Sequence, residues 1–450
     1  MTPATMSSAN PATGKHLGIT VMPEWIQSEG IDGILENLAR AGATAVATSP
    51  YVMAASDAPD AGREPPIDGG SGKVRLLDRD LWGRRELRCV TAPAFRPDPA
   101  LYAGLACRPS PVDELTMREG DIIARFLERA KAAGLEVQLQ VQAAIPPGYR
   151  VQFGGPAEAD QPRLPDGGIL ANRVDRNGSL ASPAIVDYAC ALLRDIARAY
   201  PMVDAVRVDW PEYPPYSLRS WFFDFSDHAV RAMHARGLDV ETMRADCLAL
   251  MREPWRFLDE GLFARPGFTA LLDFKRDLSA ALLQALRDAL PGHIRLIAHA
   301  FPEPWNRLSG ADPARMAAHA DEIAVKLYTM HWPMMLADYR DAMRTGCHGD
   351  DPGDRLRALF DTGGEGDLHY PEPDEPHPVG RAAQIRKIAA ARATGAPIMP
   401  AAHSYGPTED VAARIDTAFR AGGNAVWVNR YGYLGNDKLD ALGAMMRRES

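Results

Sequence analysis

The chain has 450 residues and is 46% hydrophobic, which is ample apolar material for a large core. Its formal net charge of −9 argues against nucleic acid or an anionic membrane as the main partner. Five scattered cysteines without a C-x-x-C pair indicate neither a disulfide framework nor a zinc knuckle, so a cytoplasmic location is expected: Cys89, Cys107, Cys190, Cys247 and Cys347.

The chain begins with a polar segment, residues 1–16, which lacks an apolar signal core and predicts a disordered arm. No apolar run approaches the roughly 18–20 residues needed to cross a bilayer, so no membrane partner is expected. From residue 17 onward, eight short apolar runs predict strands. They cover residues 17–22, 43–49, 135–143, 203–209, 294–300, 322–328, 396–403 and 424–429.

The segments between these runs carry apolar residues at helical spacing. The clearest cover residues 31–40, 120–133, 268–290, 382–393 and 411–421. Alternating strands and helices predict a parallel sheet, and eight such strands predict one (β/α)8 TIM barrel over residues 17–450. The helix-to-strand connections are short, and five glycines stand where a helix C-cap favours a left-handed residue: Gly42, Gly134, Gly292, Gly395 and Gly422.

Four strand-to-helix connections are long, at about residues 50–116, 144–182, 210–266 and 329–378. They place most of the inserted sequence at the carboxyl ends of the strands, the face that holds the active site in this fold. Such loops could also be lids or contacts between copies of the chain, so a homo-oligomer is compatible with the sequence. Residues 73–92 predict a hairpin that turns near Trp82, residues 146–182 an ordered cap, and residues 217–266 a small helical subdomain.

Polar and aromatic side chains collect at the predicted strand ends, although only 8% of the chain is aromatic. Rings can stack on the C–H faces of a sugar while amides, carboxylates and a lysine bind its hydroxyls, so a small-molecule or oligosaccharide substrate is expected. The rings could instead only plug the barrel top. The predicted substrate-binding residues are Glu24, Trp25, Tyr51, Gln140, Gln142, Arg207, Tyr213, His299, Trp305, Lys326, Tyr328, His331, His403, Tyr405, Trp427, Asn429 and Tyr431.

The fourth predicted strand ends in VDAVRVDWPEYPPY and provides the first candidate for catalysis. Arg207 and Asp209 are two residues apart on a strand and share a face, so the guanidinium would keep Asp209 ionised. Glu212 follows a proline in less charged, aromatic surroundings. Two carboxyl groups in different protonation states suit cleavage of a glycosidic bond. Alternatively, Arg207 and Asp209 form an ion pair that only fills the barrel interior.

Other acids and histidines leave the assignment open. Glu303 and Glu24 could each be the catalytic acid or a carboxylate that binds hydroxyls. His299 and His403 could bind hydroxyls or orient a carboxylate, although a buried, hydrogen-bonded histidine is at least as common. The histidines and carboxylates lie on different predicted strands, so a metal site is geometrically possible. No local metal-binding motif supports one, and neither a metal nor a cofactor is predicted.

Lys326 lies within an apolar run, where burial would lower its pKa and suit Schiff-base chemistry in a lyase or aldolase. The alternative that we favour pairs Lys326 with an acid such as Asp209. A third alternative is a barrel that binds sugar without turnover.

The fourth strand, VDAVRVDWPEY, resembles the strand-4 element of the α-amylase superfamily and related glycoside-hydrolase-like barrels, where an arginine lies two residues before a catalytic aspartate. The resemblance implies that Asp209 is the nucleophile or charge stabiliser, that Arg207 is its partner and that Glu303 is the acid. The sequence departs from that family in strand 7, where His403 is followed by Ser404 instead of an aspartate.

Trp427, at the end of the eighth strand, resembles the tryptophan that forms the floor of the sugar site in many barrel glycosidases. The resemblance is confined to the strand ends and does not extend to the insertions. It implies a glycoside hydrolase without defining the sugar or the linkage.

Overall fold

The computed structural model describes residues 14–67, 72, 74–150, 152–344 and 351–448. The predicted arm over residues 1–16 lies outside this range except for its last three residues, and the first strand begins at His16. The strands of the described chain are β1 (His16–Thr20), β2 (Ala45–Thr48), β3 (Tyr51–Ala55), β4 (Gly62–Glu64), β5 (Leu87–Pro93), β6 (Glu136–Gln142), β7 (Ala205–Asp209), β8 (Arg295–Ala300), β9 (Glu322–Leu327), β10 (Ile398–His403) and β11 (Ala425–Asn429).

The helices surround these strands and cover much of the inserted sequence. They are α1 (Pro23–Ala41), α2 (Glu114–Glu119), α3 (Asp121–Ala132), α4 (Pro183–Ala199), α5 (Asp227–Ala235), α6 (Val240–Arg252), α7 (Arg256–Glu260), α8 (Pro266–Ala289), α9 (Trp305–Ser309), α10 (Pro313–Met316), α11 (His331–Met343), α12 (Gly353–Leu359), α13 (Arg381–Ala393), α14 (Thr408–Ala421) and α15 (Asn436–Arg447). No helix of the described chain is long and apolar enough to cross a membrane.

Eight parallel strands close a barrel in the order β1-β11-β10-β9-β8-β7-β6-β2, which confirms the predicted (β/α)8 fold. Each predicted strand corresponds to one of these eight. Because all strands run the same way, their carboxyl ends meet at one mouth, and the long insertions lie on that side.

The insertion after β2 carries a small antiparallel sheet in the order β3-β5-β4. The predicted turn near Trp82 is present, since Leu81 and Arg84 exchange backbone hydrogen bonds of 2.8 and 3.1 Å around it. The hairpin extends only a short way from this turn, to a 3.2 Å hydrogen bond from the Leu77 amide to the Arg85 carbonyl, and β5 beyond it pairs with β3 and β4 instead. β3 follows β2 almost directly and presents a strand edge. β5 pairs with this edge instead of continuing the local hairpin.

Three of the five predicted helix-capping glycines have left-handed backbones, with φ of 70° at Gly42, 85° at Gly134 and 80° at Gly395. Gly292 does not. Nor does Gly422 (φ −78°), where a Cβ would lie 2.3 Å from the Ala425 carbonyl oxygen, so close backbone approach requires glycine there.

A layer of large side chains fills the barrel below its mouth. The Arg207 guanidinium carbon lies 3.8 Å from the centre of the Trp427 ring, a close cation–π contact. Trp427 Nε1 donates a hydrogen bond to Thr20 Oγ1 at 2.8 Å. Gly18 pairs with Trp427 in register, and a Cβ there would lie 2.0 Å from the indole ring. The missing side chain of Gly18 therefore creates the space for Trp427.

The other long insertions differ from one another in secondary structure. Residues 146–182, of which residue 151 is not described, contain one 3₁₀ turn, Glu158–Asp160, and otherwise consist of irregular chain in which buried residues alternate with exposed stretches. The predicted helical subdomain after β7 contains α5, α6 and α7. The insertion after β9 contains α11 and α12, separated by residues 345–350, which lie outside the described chain.

Candidate active site at the barrel mouth

Asp209 ends β7 and holds two partners from the next two barrel strands. Its Oδ1 lies 2.6 Å from Lys326 Nζ on β9 and 3.1 Å from His299 Nδ1 on β8. The Asp209 side chain is 15% exposed, whereas that of Lys326 is 1% exposed, so the carboxylate is the member of the pair that reaches the mouth. Burial alone would raise the pKa of Asp209, but Lys326 and His299 hold it well below its usual range. Asp209 is therefore ionised at neutral pH, and the favoured pairing with Lys326 is present.

His299 connects Arg207 to Asp209. Arg207 Nε donates to His299 Nε2 at 3.3 Å, and Arg207 Nη1 donates to Gln138 Oε1 at 2.9 Å. Because a guanidinium can only donate, His299 Nε2 accepts, and the proton of the neutral ring is on Nδ1, facing Asp209. Burial lowers the pKa of His299 to about 4, which keeps the ring neutral near pH 7.

Arg207 thus acts on Asp209 through His299. The direct Arg207–Asp209 ion pair considered from the sequence is absent from the described structure, because the guanidinium is turned toward Gln138, His299 and the Trp427 ring. The sequence analysis missed Gln138. Its signal was present, since Gln138 lies two residues before the predicted Gln140 on the same strand face.

Glu212 lies in the loop after β7 and is fully buried. Its Oε2 accepts a hydrogen bond of 2.5 Å from Ser309 Oγ, and its Oε1 has no side-chain partner among the described residues. Burial raises the pKa of Glu212 to about 7, against the opposing effects of Lys326 and Ser309. At neutral pH Glu212 is therefore partly protonated, whereas Asp209 is ionised.

Several predicted substrate-binding aromatics are packed into walls rather than exposed at the mouth. Trp25 and Tyr431 contact each other, with ring centres 6.0 Å apart, and both are at most 1% exposed. Trp305 is fully buried beside Trp332 at 5.4 Å. Tyr213 donates from its hydroxyl to buried Asp224 at 3.0 Å. For these rings the structure shows the packing role that the sequence left open.

A second set of predicted residues forms a connected wall of rings beside Asp209. Tyr328 lies 5.2 Å from His403 and 5.9 Å from His331, between ring centres. His403 Nδ1 accepts a 3.0 Å hydrogen bond from the Tyr405 amide, so its neutral ring carries the proton on Nε2. Burial, reinforced by Arg75, holds the pKa of His403 well below its ordinary value. This wall therefore offers a neutral imidazole donor.

The interior face of β6 and β11 adds amide groups to the mouth. Gln140 pairs in register with Arg207, and Gln142 pairs with Asp209. Gln142 Oε1 and Asn429 Oδ1 are buried and have no hydrogen-bond partner within the described chain. Each of these oxygens can accept a further hydrogen bond. In the part of the chain that the structure describes, no group of three or more His, Cys, Asp or Glu side chains is arranged to hold a metal ion.

Glu24 and Tyr51 belong to a buried chain of ion pairs above β1 and β2. Arg150 Nη1 donates to Glu24 Oε1 at 2.6 Å and to the Tyr51 hydroxyl at 3.0 Å, while the other end of its guanidinium binds Glu64. Arg430, after β11, binds the second oxygen of Glu64. The sequence analysis missed Arg150 and Glu64 as parts of the site, because neither lies in a periodic segment. The charge of the Glu24 carboxylate is therefore balanced by Arg150 of the same chain.

Glu303, the acid that the resemblance implies, forms no hydrogen bond or ion pair with these groups in the described structure. Its side chain is exposed, and its backbone carbonyl accepts a 2.6 Å hydrogen bond from Lys387. Its assignment as the acid stays a prediction.

No protein-family model matches the chain, and no curated protein matches it. Among solved structures, the PgaB (BpsB) glycoside hydrolase domain from Bordetella bronchiseptica is similar, with 12% identity and a TM-score of 0.54, over 97% of this chain and 100% of that one. The β-galactosidase from Marinomonas ef1 has 10% identity and a TM-score of 0.45 over 96% and 59% of the two chains. A class V chitinase from Pseudomonas fluorescens Pf-5 has 14% identity and a TM-score of 0.43 over 96% and 100%. At this level of identity, the likeness to the PgaB domain shows a shared fold.

Proposed function

We propose that the chain is a carbohydrate-active enzyme, a glycoside hydrolase whose carboxyl pair is Asp209 and Glu212. The observation that carries the proposal is the opposite shift of the two pKa values: Asp209 is held ionised by Lys326, and burial raises the pKa of Glu212 to about 7. Two carboxyl groups with such different protonation states can supply a negative charge and a proton to one cleavage reaction.

The two acids would have separate tasks. Asp209 is partly exposed at the mouth and would stabilise the positive charge that develops on the sugar ring as the bond breaks. Glu212 would give its proton to the leaving oxygen. Because Glu212 is fully buried, the proposal requires its side chain to turn toward the substrate when substrate binds, while the loop backbone stays in place.

The surrounding groups support a polyhydroxylated substrate. Gln142 and Asn429 present unsatisfied acceptors, and neutral His403 presents a donor. The Tyr328 ring, packed against His331 and His403, supplies an aromatic face beside them. The paired state of Lys326 argues against the Schiff-base alternative, since an ammonium bound to Asp209 is not a free nucleophile.

The test compares Asp209→Asn, Glu212→Gln and Glu303→Gln on a panel of aryl and alkyl glycosides. We expect Asp209→Asn to lower kcat/KM by at least about 10³-fold on every glycoside that the enzyme cleaves, with binding retained. Glu212→Gln should lose about 10²–10⁴-fold on alkyl glycosides and much less on 4-nitrophenyl glycosides, whose leaving group needs little protonation.

Glu303→Gln is the comparison variant and should leave both rates unchanged, because Glu303 is exposed, whereas Glu212 is fully buried. Undiminished turnover in Asp209→Asn would overturn the proposal. If Glu303→Gln, rather than Glu212→Gln, loses activity on alkyl glycosides but not on 4-nitrophenyl glycosides, the catalytic acid is Glu303. Oligosaccharide binding without turnover by the wild-type chain would indicate a sugar-binding barrel.

A further inference from the structure

We infer that Asn177, in the cap formed by residues 146–182, is a positioning residue that fixes the loop carrying Glu212. The catalytic part of this inference rests on the proposed function of Glu212, whereas the positioning part can be measured without turnover.

The side chain of Asn177 bridges two carbonyl groups of that loop. Its Nδ2 donates to the Trp210 carbonyl oxygen at 2.9 Å and to the Glu212 carbonyl oxygen at 2.6 Å. Asn177 is fully buried, and its Oδ1 has no partner among the described residues. The two carbonyl acceptors define the orientation of the amide, because a flipped amide would place oxygen against oxygen.

The loop needs such a restraint because its first residue has an unfavourable backbone. Trp210 has a φ of 53°, in the left-handed region that is uncommon for a bulky residue. Ser279, on α8, holds the opposite side by donating to the Pro211 carbonyl oxygen at 2.7 Å. Three consecutive carbonyls are thus fixed by two side chains from separate parts of the chain.

Asn177 is itself anchored firmly. Its backbone amide donates to Asp175 Oδ1 at 2.9 Å, and its carbonyl accepts a 2.7 Å bond from Arg173. The next residue, Gly178, donates a 2.8 Å hydrogen bond to the carbonyl of Ala144, two residues after the end of β6. Hydrogen bonds therefore connect the segment after β6, through Asn177, to the loop after β7.

Releasing the loop would change the surroundings of the Glu212 carboxyl group. Three charged groups face this carboxyl group: Asp209 on β7, Lys326 on β9 and Lys275 on α8. Burial is the largest influence on the pKa of Glu212, and it raises that pKa. A looser loop admits water, so the pKa of Glu212 should fall toward its ordinary value. An acid catalyst must be protonated, so the alkaline limb of kcat/KM should move to lower pH.

The experiment titrates Glu212 directly in protein labelled with ¹³C at the glutamate carboxyl groups. The resonance that disappears in Glu212→Gln identifies Glu212, and its titration is followed in wild type, Asn177→Ala and Ser182→Ala. Ser182 is the matched control, since it makes a buried 2.6 Å hydrogen bond to Asp160 in the same cap without touching the loop.

We expect the Glu212 midpoint in Asn177→Ala to fall by about one pH unit or more, with the alkaline limb of kcat/KM moving equally. Ser182→Ala should lower Tm without moving either midpoint. If Asn177→Ala does not fold, Asn177→Ser, which can donate only one bond, should give a smaller fall of the same sign. An unshifted midpoint in the folded Asn177 variant overturns the inference. A shifted midpoint with an unmoved kinetic limb would retain Asn177 as the restraint and reject Glu212 as the acid.

Discussion

Asp209 and Lys326 show how one residue sets the chemical state of another. The Lys326 ammonium lies 2.6 Å from the carboxylate and is almost fully buried, so its charge is poorly screened by water. The pair contributes stability above the unfolded-state pKa of Asp209, and that contribution is lost as the pH falls through the depressed folded-state pKa.

Replacing Lys326 with methionine removes the charge while keeping much of the side-chain volume. Burial then dominates, so the pKa of Asp209 should rise by at least about two units, and the acid limb of kcat/KM should move upward with it. Lys387→Met is the control, because Lys387 is also buried but binds the carbonyls of Glu303 and Phe360. An acid limb that stays in place in Lys326→Met would show that Asp209 is not the group that must be ionised.

At the scale of elements, the pairing of β1 with β11 depends on a single missing side chain. Gly18→Ala would place a Cβ 2.0 Å from the Trp427 ring, which has Arg207 packed on it. Overpacking of this kind should lower the free energy of unfolding by about 3 kcal/mol or more. Chemical denaturation measures the difference.

Gly33→Ala is the control in a neighbouring helix. A Cβ at Gly33, within α1, would meet only the Glu29 Cβ at 3.9 Å. Alanine should stabilise this helix by about 0.5–1 kcal/mol. Equal effects at Gly18 and Gly33 would show that Trp427 can move aside without cost.

The elements themselves could be predicted because the barrel strands are near-continuous apolar runs. Parallel strands all end at the same mouth of the barrel. The strand ends therefore predicted that Asp209, His299 and Lys326 lie near one another, as the structure shows. Asn177 could not be found in this way, because it acts from irregular chain that has no period. The antiparallel β3-β5-β4 sheet was also missed, since its pairing depends on the position of β2 rather than on local turns.

Across the whole molecule, a buried chain of charges ties two insertions to the barrel. Arg150 comes from the cap, Glu64 from the insertion after β2, Glu24 from the start of α1 and Arg430 from the segment after β11. The charges alternate in sign, and Glu24 and Glu64 are fully buried. This arrangement fixes how the insertions sit over the mouth.

Arg150→Met would leave the Glu24 carboxylate without its cation. Removing one partner of a buried ion pair costs about 3–5 kcal/mol, so Tm should fall strongly. Arg40→Met is the control, because Arg40 pairs with Asp440 on the surface, where both side chains are exposed, and Tm should change little. Similar Tm values for the two variants would mean that the charge chain does not hold the insertions.

The order of strands around the barrel also has a consequence for how the chain is made. β1 pairs with β2 on one side and with β11 on the other. Its second edge therefore has no partner until β11, the last strand of the barrel, has been synthesised. At about 5–20 residues per second, synthesis of the chain between them takes on the order of tens of seconds. During that time the nascent protein exposes an unpaired strand edge and lacks Trp427 in its centre. Until β11 is made, this edge is therefore available for pairing between partly folded chains.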